Sequence, residues 1–453
     1  MRPHSSTSDG LLTPLFTSPP VEAELTDHAL LQAMLDVEAA LARAGAEVGA
    51  VPAAAAGAIA AACRADEFDI AYIGAAAEAF GNPVVPLVQS LRAAVGEPTA
   101  QWVHFGATSQ DVIDTALMLL VVRAGEPLLQ RIRAAADACA EIADRHRDTV
   151  TVARTLGQQA VPTTFGLKAT TWLSGLDAAG RRLHDVLHRR AAVQLGGATG
   201  TLAGYGTTGP AVMSALARAL GLCDPGLPWH TDRQRVLEIA DAIAAIGPAA
   251  AKIATDVVWL ASSEVGELRE GGGELRGGSS AMPNKSNPVH SVLIRAGALQ
   301  LPGLLATLHQ AAVHENERAA GGWHAEWESL RSLMSLAGGV ADRASRLLAD
   351  LHVDPARMRA NLDASGGEVM AEALAQRLRP LLGHDASRSV VQRCLIDARH
   401  RGIAFREAVS ADEQVRSVLT AADVDEVFEP RNWLGSAHEF IDRALLAHEQ
   451  AWS

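Results

Sequence analysis

SQDVIDTALMLLVVRAGEPLLQRIRAAADACAEIADRH, residues 109–146, is the stretch on which the fold turns. Its apolar residues recur at helical spacing from end to end. A helix of that length is well beyond the usual size in a globular domain, and one so apolar needs a partner along its whole length. Four further segments read the same way: Pro162–Arg190, Arg235–Glu270, Pro288–His314 and Trp327–Leu351. The expectation is an all-α chain built on a long-helix bundle and buried further by self-association. Glycine-rich breaks at Gly196–Gly200 and Gly271–Gly278 separate the segments. Gly196-Gly197-Ala-Thr-Gly200 lacks the strand and the lysine of a phosphate-binding loop, so it reads as a tight connection.

Working outward, residues 1–20 are rich in Ser, Thr and Pro and are expected to run irregularly. A helix starts at Thr26 or Asp27 and carries Leu30, Leu31, Met34, Leu35, Val37 and Leu41. A second covers about 53–65, a break follows at Gly81-Asn82-Pro83, and a new helix begins at Val84. Beyond Pro355 the pattern shortens into smaller helices. Hydrophobic residues make up 48% and charged residues 20%, which is the balance of a globular chain. The net charge of −13 argues against nonspecific binding to nucleic acid or membranes. It also means that an anionic substrate must be held by local cations and dipoles. Cys63, Cys139, Cys223 and Cys394 are scattered without metal-ligand spacing, so no metal site and no disulfide framework are expected. Reduced thiols fit a cytoplasmic protein. The N-terminus has no apolar core of signal-peptide length, and no uncharged apolar run reaches the ~18 residues of a membrane span.

The chemistry concentrates in Gly277-Gly-Ser279-Ser280-Ala-Met-Pro-Asn-Lys285-Ser-Asn287-Pro288. The preceding EGGGELRGG cannot hold a stable helix and suits a lid. Two serines, a lysine and an asparagine place a base, a cation and an amide donor within one loop. Lys285 and Asn287 can hold a carboxylate and stabilise the extra negative charge that develops when the neighbouring carbon loses a proton.

This segment resembles, letter for letter, the GSSxMPxKxNP signature of the aspartase/fumarase superfamily. His104-Phe-Gly-Ala-Thr108-Ser109-Gln110-Asp111 and Arg154-Thr155-Leu-Gly-Gln158-Gln159-Ala-Val-Pro resemble its other two blocks, in the same order. Within the superfamily the chain is most similar to bacterial 3-carboxy-cis,cis-muconate cycloisomerases, through LLQAMLDVEAALARA, Pro228-Trp-His-Thr-Asp-Arg233, the stretch Glu315–Trp327 and VDPARMRANLD. The resemblance implies an all-α, three-domain fold with a central long-helix bundle. Its parts would be 1–110, 111–354 with the signature loop 271–288, and 355–453. It implies a homotetramer with active sites shared between subunits, no cofactor, and a small di- or tricarboxylate substrate. Ser279 would be the base and Lys285 its catalytic partner. His104, Thr108, Ser109, Arg154, Thr155, Gln159, His230, Asn287, Asn82 and Arg318 are the candidate substrate contacts.

Three positions depart from the pattern. Leu156 stands where members that expel an amine or hydroxide carry histidine, and Gln159 where many cycloisomerases do. Neither can donate a proton as imidazolium does. A poor leaving group needs a general acid, but a carboxylate or nitrite departs unaided. Ser286 stands where an arginine is common, so one cation is missing unless Arg233, Arg235, Arg295 or Arg318 replaces it. The leading expectation is a 3-carboxy-cis,cis-muconate cycloisomerase-like enzyme. The alternatives are a fumarate-forming lyase acting on a substituted succinate such as nitrosuccinate, and a noncatalytic structural homologue.

Overall fold

The computed structural model describes residues 10–271, 277–278, 282 and 285–452. It is mostly helical. The chain divides into two compact units. The first gathers Met1–Arg133, Ala178–Ala251 and Leu293–Ala344; the second gathers Ala134–Asp177, Lys252–Val292 and Ser345–Ser453.

In the first unit the helix Asp27–Glu47 starts as its sequence predicts, with Thr26 Oγ1 accepting the Ala29 N–H at 3.1 Å. Its buried face contains Leu31, Leu35 and Leu41 and packs on the helices Ala53–Ala62 and Gly209–Leu220. The helix Val84–Val95 begins directly after Pro83, as expected. The stretch that opened the analysis forms one helix of 37 residues, Ser109–Arg145, and passes through Pro127 without ending.

Two other long segments break. Arg235–Glu270 is two helices, Gln234–Ala244 and Ile246–Leu260, followed by a short strand, Leu268–Glu270. Pro248 has no N–H for the carbonyl of Ala244, where the first helix stops. Pro288–His314 divides in the same way: Val289–Ala298 ends at the carbonyl that Pro302 cannot satisfy, and Leu301–Ala311 follows. Together these two helices have the length and apolar character of a membrane span. They are interrupted at Leu299–Gln300, however, and Arg295 within the run would be costly in lipid. Val292, Leu299 and Val313 are left exposed on this stretch within the single chain.

The largest departure from the helical reading lies in the second unit. Val150–Thr155 and Gln158–Thr164 form an antiparallel hairpin, and helix begins only at Phe165, running to Arg189. Val150 and Val152 bury against Leu362 of the helix Pro355–Asp363. The smaller helices expected beyond Pro355 enclose a core that includes Leu374, Leu378, Val390, Phe405 and Val415. The terminal helix Ala437–Ala451 is tied down through His448, which bonds Asp177 at 2.9 Å and Asp137 at 3.0 Å. The acidic run Asp137–Asp148 is exposed and yet largely paired: Asp144 with Arg147, and Asp148 with His438.

Candidate active site

In the first unit the block His104–Asp111 is a tight loop that enters the long helix. His104 has φ +61, and its strained backbone is held by Glu38. Glu38 Oε2 accepts the His104 N–H at 3.1 Å, and Oε1 meets the ring Nδ1 at 2.6 Å. Gly106 follows with φ +71; a Cβ there would sit 2.3 Å from the Tyr205 ring, so only glycine fits. The Tyr205 hydroxyl donates to the Phe105 carbonyl at 2.6 Å.

Thr108 is the residue before the helix, and Asp111 closes its first turn by accepting the Thr108 N–H at 3.0 Å. Buried Asp111 also accepts the Gly196 and Gly197 N–H groups, both at 2.9 Å, and meets His230 Nε2 at 2.7 Å. His230 therefore lies behind the loop, buried, holding Asp111. Arg318 approaches from the other side. Its Nη1 donates to Thr108 Oγ1 at 2.9 Å and its Nη2 to the Ala198 carbonyl at 3.1 Å. Thr108, half-buried Ser109 and Arg318 thus surround the N-terminus of a long helix, which is an anion-binding arrangement. Asn82 caps locally instead: it accepts the Val84 N–H and donates to the Phe80 carbonyl.

Arg233 is one of the four arginines considered for the cation missing at Ser286, and its position rules it out. It is buried, with Asp114 on one side at 2.9 Å and Glu326 on the other. Burial pushes its pKa down, but the two carboxylates outweigh burial and raise it. Arg235 donates to the Arg190 carbonyl, and Arg295 is exposed. Trp323 donates to Asp114, and its ring packs on His324 and Trp327 at 5.1 and 4.8 Å between centroids.

In the second unit the block Arg154–Gln159 is the tip of the hairpin. Leu156 and Gly157 are a two-residue turn, both with positive φ (+53 and +80). Glycine adopts this at no cost; leucine does not. Leu156 is 102% exposed. Thr155, Gln158 and Gln159 around it are exposed as well. Arg154 turns away from the tip and pairs with buried Glu267 at 2.5 Å. Asn361 donates to the same Glu267.

The signature loop is gathered at a neck. The Asn287 N–H and Nδ2 both donate to the Gly277 carbonyl, at 2.8 and 3.0 Å, and Gly278 bridges to Ser286. Glu270 fixes one side of the neck by capping the helix Val289–Ala298, accepting from the His290 and Ser291 N–H groups and the Ser291 hydroxyl. Lys285 is exposed. A cavity of about 430 Å³ beside the neck is lined by Arg269, Glu270, Asn287 and His352 among others. Ser279 lies outside the described residues.

Sequence reasoning had missed Glu38, Glu267 and Glu270, and had assigned Asp111 no role. Glu38 carried a readable signal: it falls seven residues after Leu31 and three before Leu41, in the middle of an apolar stripe.

A family model described as Lyase matches residues 16–303, and one described as Adenylosuccinate lyase C-terminus matches residues 367–444. The nitrosuccinate lyase of Streptomyces davaonensis is 44% identical over 98% of this chain and 95% of that enzyme. The 3-carboxy-cis,cis-muconate cycloisomerase of Bradyrhizobium diazoefficiens is 42% identical over 96% of this chain and 97% of that enzyme. The crystal structure of the 3-carboxy-cis,cis-muconate lactonizing enzyme from Pseudomonas putida superposes with a TM-score of 0.92 at 36% identity, covering 98% of this chain and 100% of that one.

Proposed function

Because the chain belongs to the lyase family of the aspartase/fumarase superfamily, we propose that it is a cofactor-free cycloisomerase or lyase that removes a proton beside a substrate carboxylate and releases a stable anion. The observation that carries the choice of leaving group is the hairpin tip. Leu156 stands there fully exposed, with no proton donor on the turn. Ser279 takes the proton from carbon. Lys285 and Asn287 hold the neighbouring carboxylate as negative charge builds on it, and Thr155 and Gln159 add neutral donors. Thr108, Ser109, His104 and Arg318 hold a second carboxylate. The carbanion then expels its β-substituent, and the electron pair of the broken bond leaves on that group.

The first substrate to which we assign this chemistry is 3-carboxy-cis,cis-muconate and its lactone, where the leaving anion is a carboxylate. A second reading, nitrosuccinate giving fumarate and nitrite, is favoured by Ser286, because a C4 dicarboxylate feels a missing cation less than a tricarboxylate does. Ultraviolet spectra separate them: loss of a conjugated diene for the first, appearance of fumarate with nitrite for the second. Serine-independent change, or no change with either, would refute the reading.

The same proposal includes a homotetramer with active sites shared between subunits, supported by the apolar residues left exposed at Val292, Leu299 and Val313. It includes the three-part division at residues 110 and 354, and a cytoplasmic setting. The last is supported by four free cysteines, among them buried Cys63, whose thiol burial pushes up to about 12.

Leu156→His tests the leaving-group argument. The account expects kcat to stay within about threefold, since a general acid contributes only where the leaving group needs a proton. A gain of about 10²-fold would mean that departure had been waiting for one.

A further inference from the structure

Glu38 is a carboxylate with no exposed side-chain surface, set in an apolar helix face. Both its oxygens are used on one residue, the N–H and the Nδ1 of His104. A buried carboxylate is costly unless its partners are strong, and a 2.6 Å contact has the length of a charge-assisted bond. The His104 ring keeps 15% of its side-chain surface open, and Nε2 is its one remaining polar atom. With Nδ1–H given to Glu38, a neutral ring would offer a lone pair at Nε2 and repel a carboxylate. An imidazolium offers N–H there.

We propose that Glu38 is a positioning residue for the reaction: it holds the His104 ring and backbone so that Nε2–H is presented to a substrate carboxylate. This rests on the function proposed above. The charged groups acting on His104 from the packed elements are Glu38, Asp111 and Arg92, and Tyr205 packs beside the same loop at Phe105 and Gly106. Burial pushes the His104 imidazolium down, but Glu38, with Asp111 behind it and Arg92 opposing, outweighs burial and leaves the pKa raised. Tyr205 stays protonated, because burial raises its pKa and its hydroxyl donates to Phe105.

The sign of the pH effect is fixed by that direction. A raised pKa keeps the donor present past the ordinary histidine value of about 6.5 and loses it as pH climbs further. In Glu38→Gln only Asp111 is left to oppose burial, so the alkaline limb of kcat/KM moves down from its wild-type position. KM at a pH between the two limbs is expected to rise about ten- to a hundredfold, the range for losing a hydrogen bond to a charged group, while kcat changes less. The defect should shrink as pH falls. Glu38→Asp keeps the charge and should keep the limb close to wild type. An equal loss of activity in Glu38→Gln at every pH, with the limb unmoved, would reduce Glu38 to a packing residue and overturn the proposal.

A second arm does not depend on turnover. Diethyl pyrocarbonate acylates neutral imidazole, and peptide mass spectrometry reads His104 alone, with His104→Gln as the blank. The midpoint pH of modification should lie above free histidine in the wild type and lower than the wild type in Glu38→Gln. Equal midpoints would overturn the proposal. If the wild type turned over neither carboxylate, the assigned reaction would fall, and these midpoints would still decide what Glu38 does.

Discussion

Ser279→Ala lowers kcat by about 10²- to 10⁴-fold, the range that a positioned proton-transfer group contributes. Serine at its ordinary pKa is a poor base, so the proposed role requires its alkoxide to be stabilised, through backbone amides and Lys285. Substrate affinity should change little, because the proposed carboxylate contacts of Lys285, Asn287, Thr108 and Arg318 are untouched. Ser280→Ala is the control and should retain most activity. The check is steady-state kinetics on protein whose thermal midpoint matches wild type. Near-normal turnover by Ser279→Ala would remove the base from the account.

Arg233→Met produces the largest loss of stability. The guanidinium is 2% exposed and lies between Asp114 and Glu326, whose side chains are 0% and 2% exposed. Asp114 is also the acceptor for Trp323, Gln110 and Gln194, and Glu326 lies 3.3 Å from His314. Removing the arginine leaves two buried carboxylates sharing only neutral donors and one histidine. Breaking a buried pair in this way costs about 3–5 kcal/mol. The expected result is a lower denaturant midpoint and poor recovery of folded protein. Replacing Asp114 and Glu326 by apolar residues alongside Arg233→Met should recover much of the loss, since an apolar core of similar volume is often as stable as a buried ion cluster. An unchanged midpoint in Arg233→Met would contradict the assignment of this arginine to structure.

These two residues also mark how far the sequence could be read. The family was legible because the neighbours of Ser279 form a specific pattern; Arg233 was read as a possible substrate cation because nothing local shows that Asp114 and Glu326, more than 90 positions away on either side, close around it. The 37-residue helix Ser109–Arg145 was legible from periodicity alone. The breaks at Ala244 and Ala298 were written in Pro248 and Pro302, yet Pro127 sits inside an unbroken helix, so proline by itself does not decide. The hairpin had signals too. Val150, Thr151, Val152 and Thr155 are β-branched, and Leu156-Gly157 provides a turn glycine. The apolar segment expected to be helical from Pro162 becomes helix only at Phe165. Arg154, Thr155 and Gln159 were grouped by motif, but the structure separates their roles: the guanidinium is committed to Glu267, while the other two stand open.

Removal of a carbon-bound proton is the claim on which the account depends, and isotopic labelling tests it most directly. The 3-carboxymuconate lactone and nitrosuccinate, each carrying deuterium on the carbon next to the reacting carboxylate, are both read in the elimination direction. For the substrate that turns over, the account predicts slower turnover than with the unlabelled compound, deuterium recovered in water, and neither effect with Ser279→Ala. Elimination at an undiminished rate with deuterium retained in the product would contradict it.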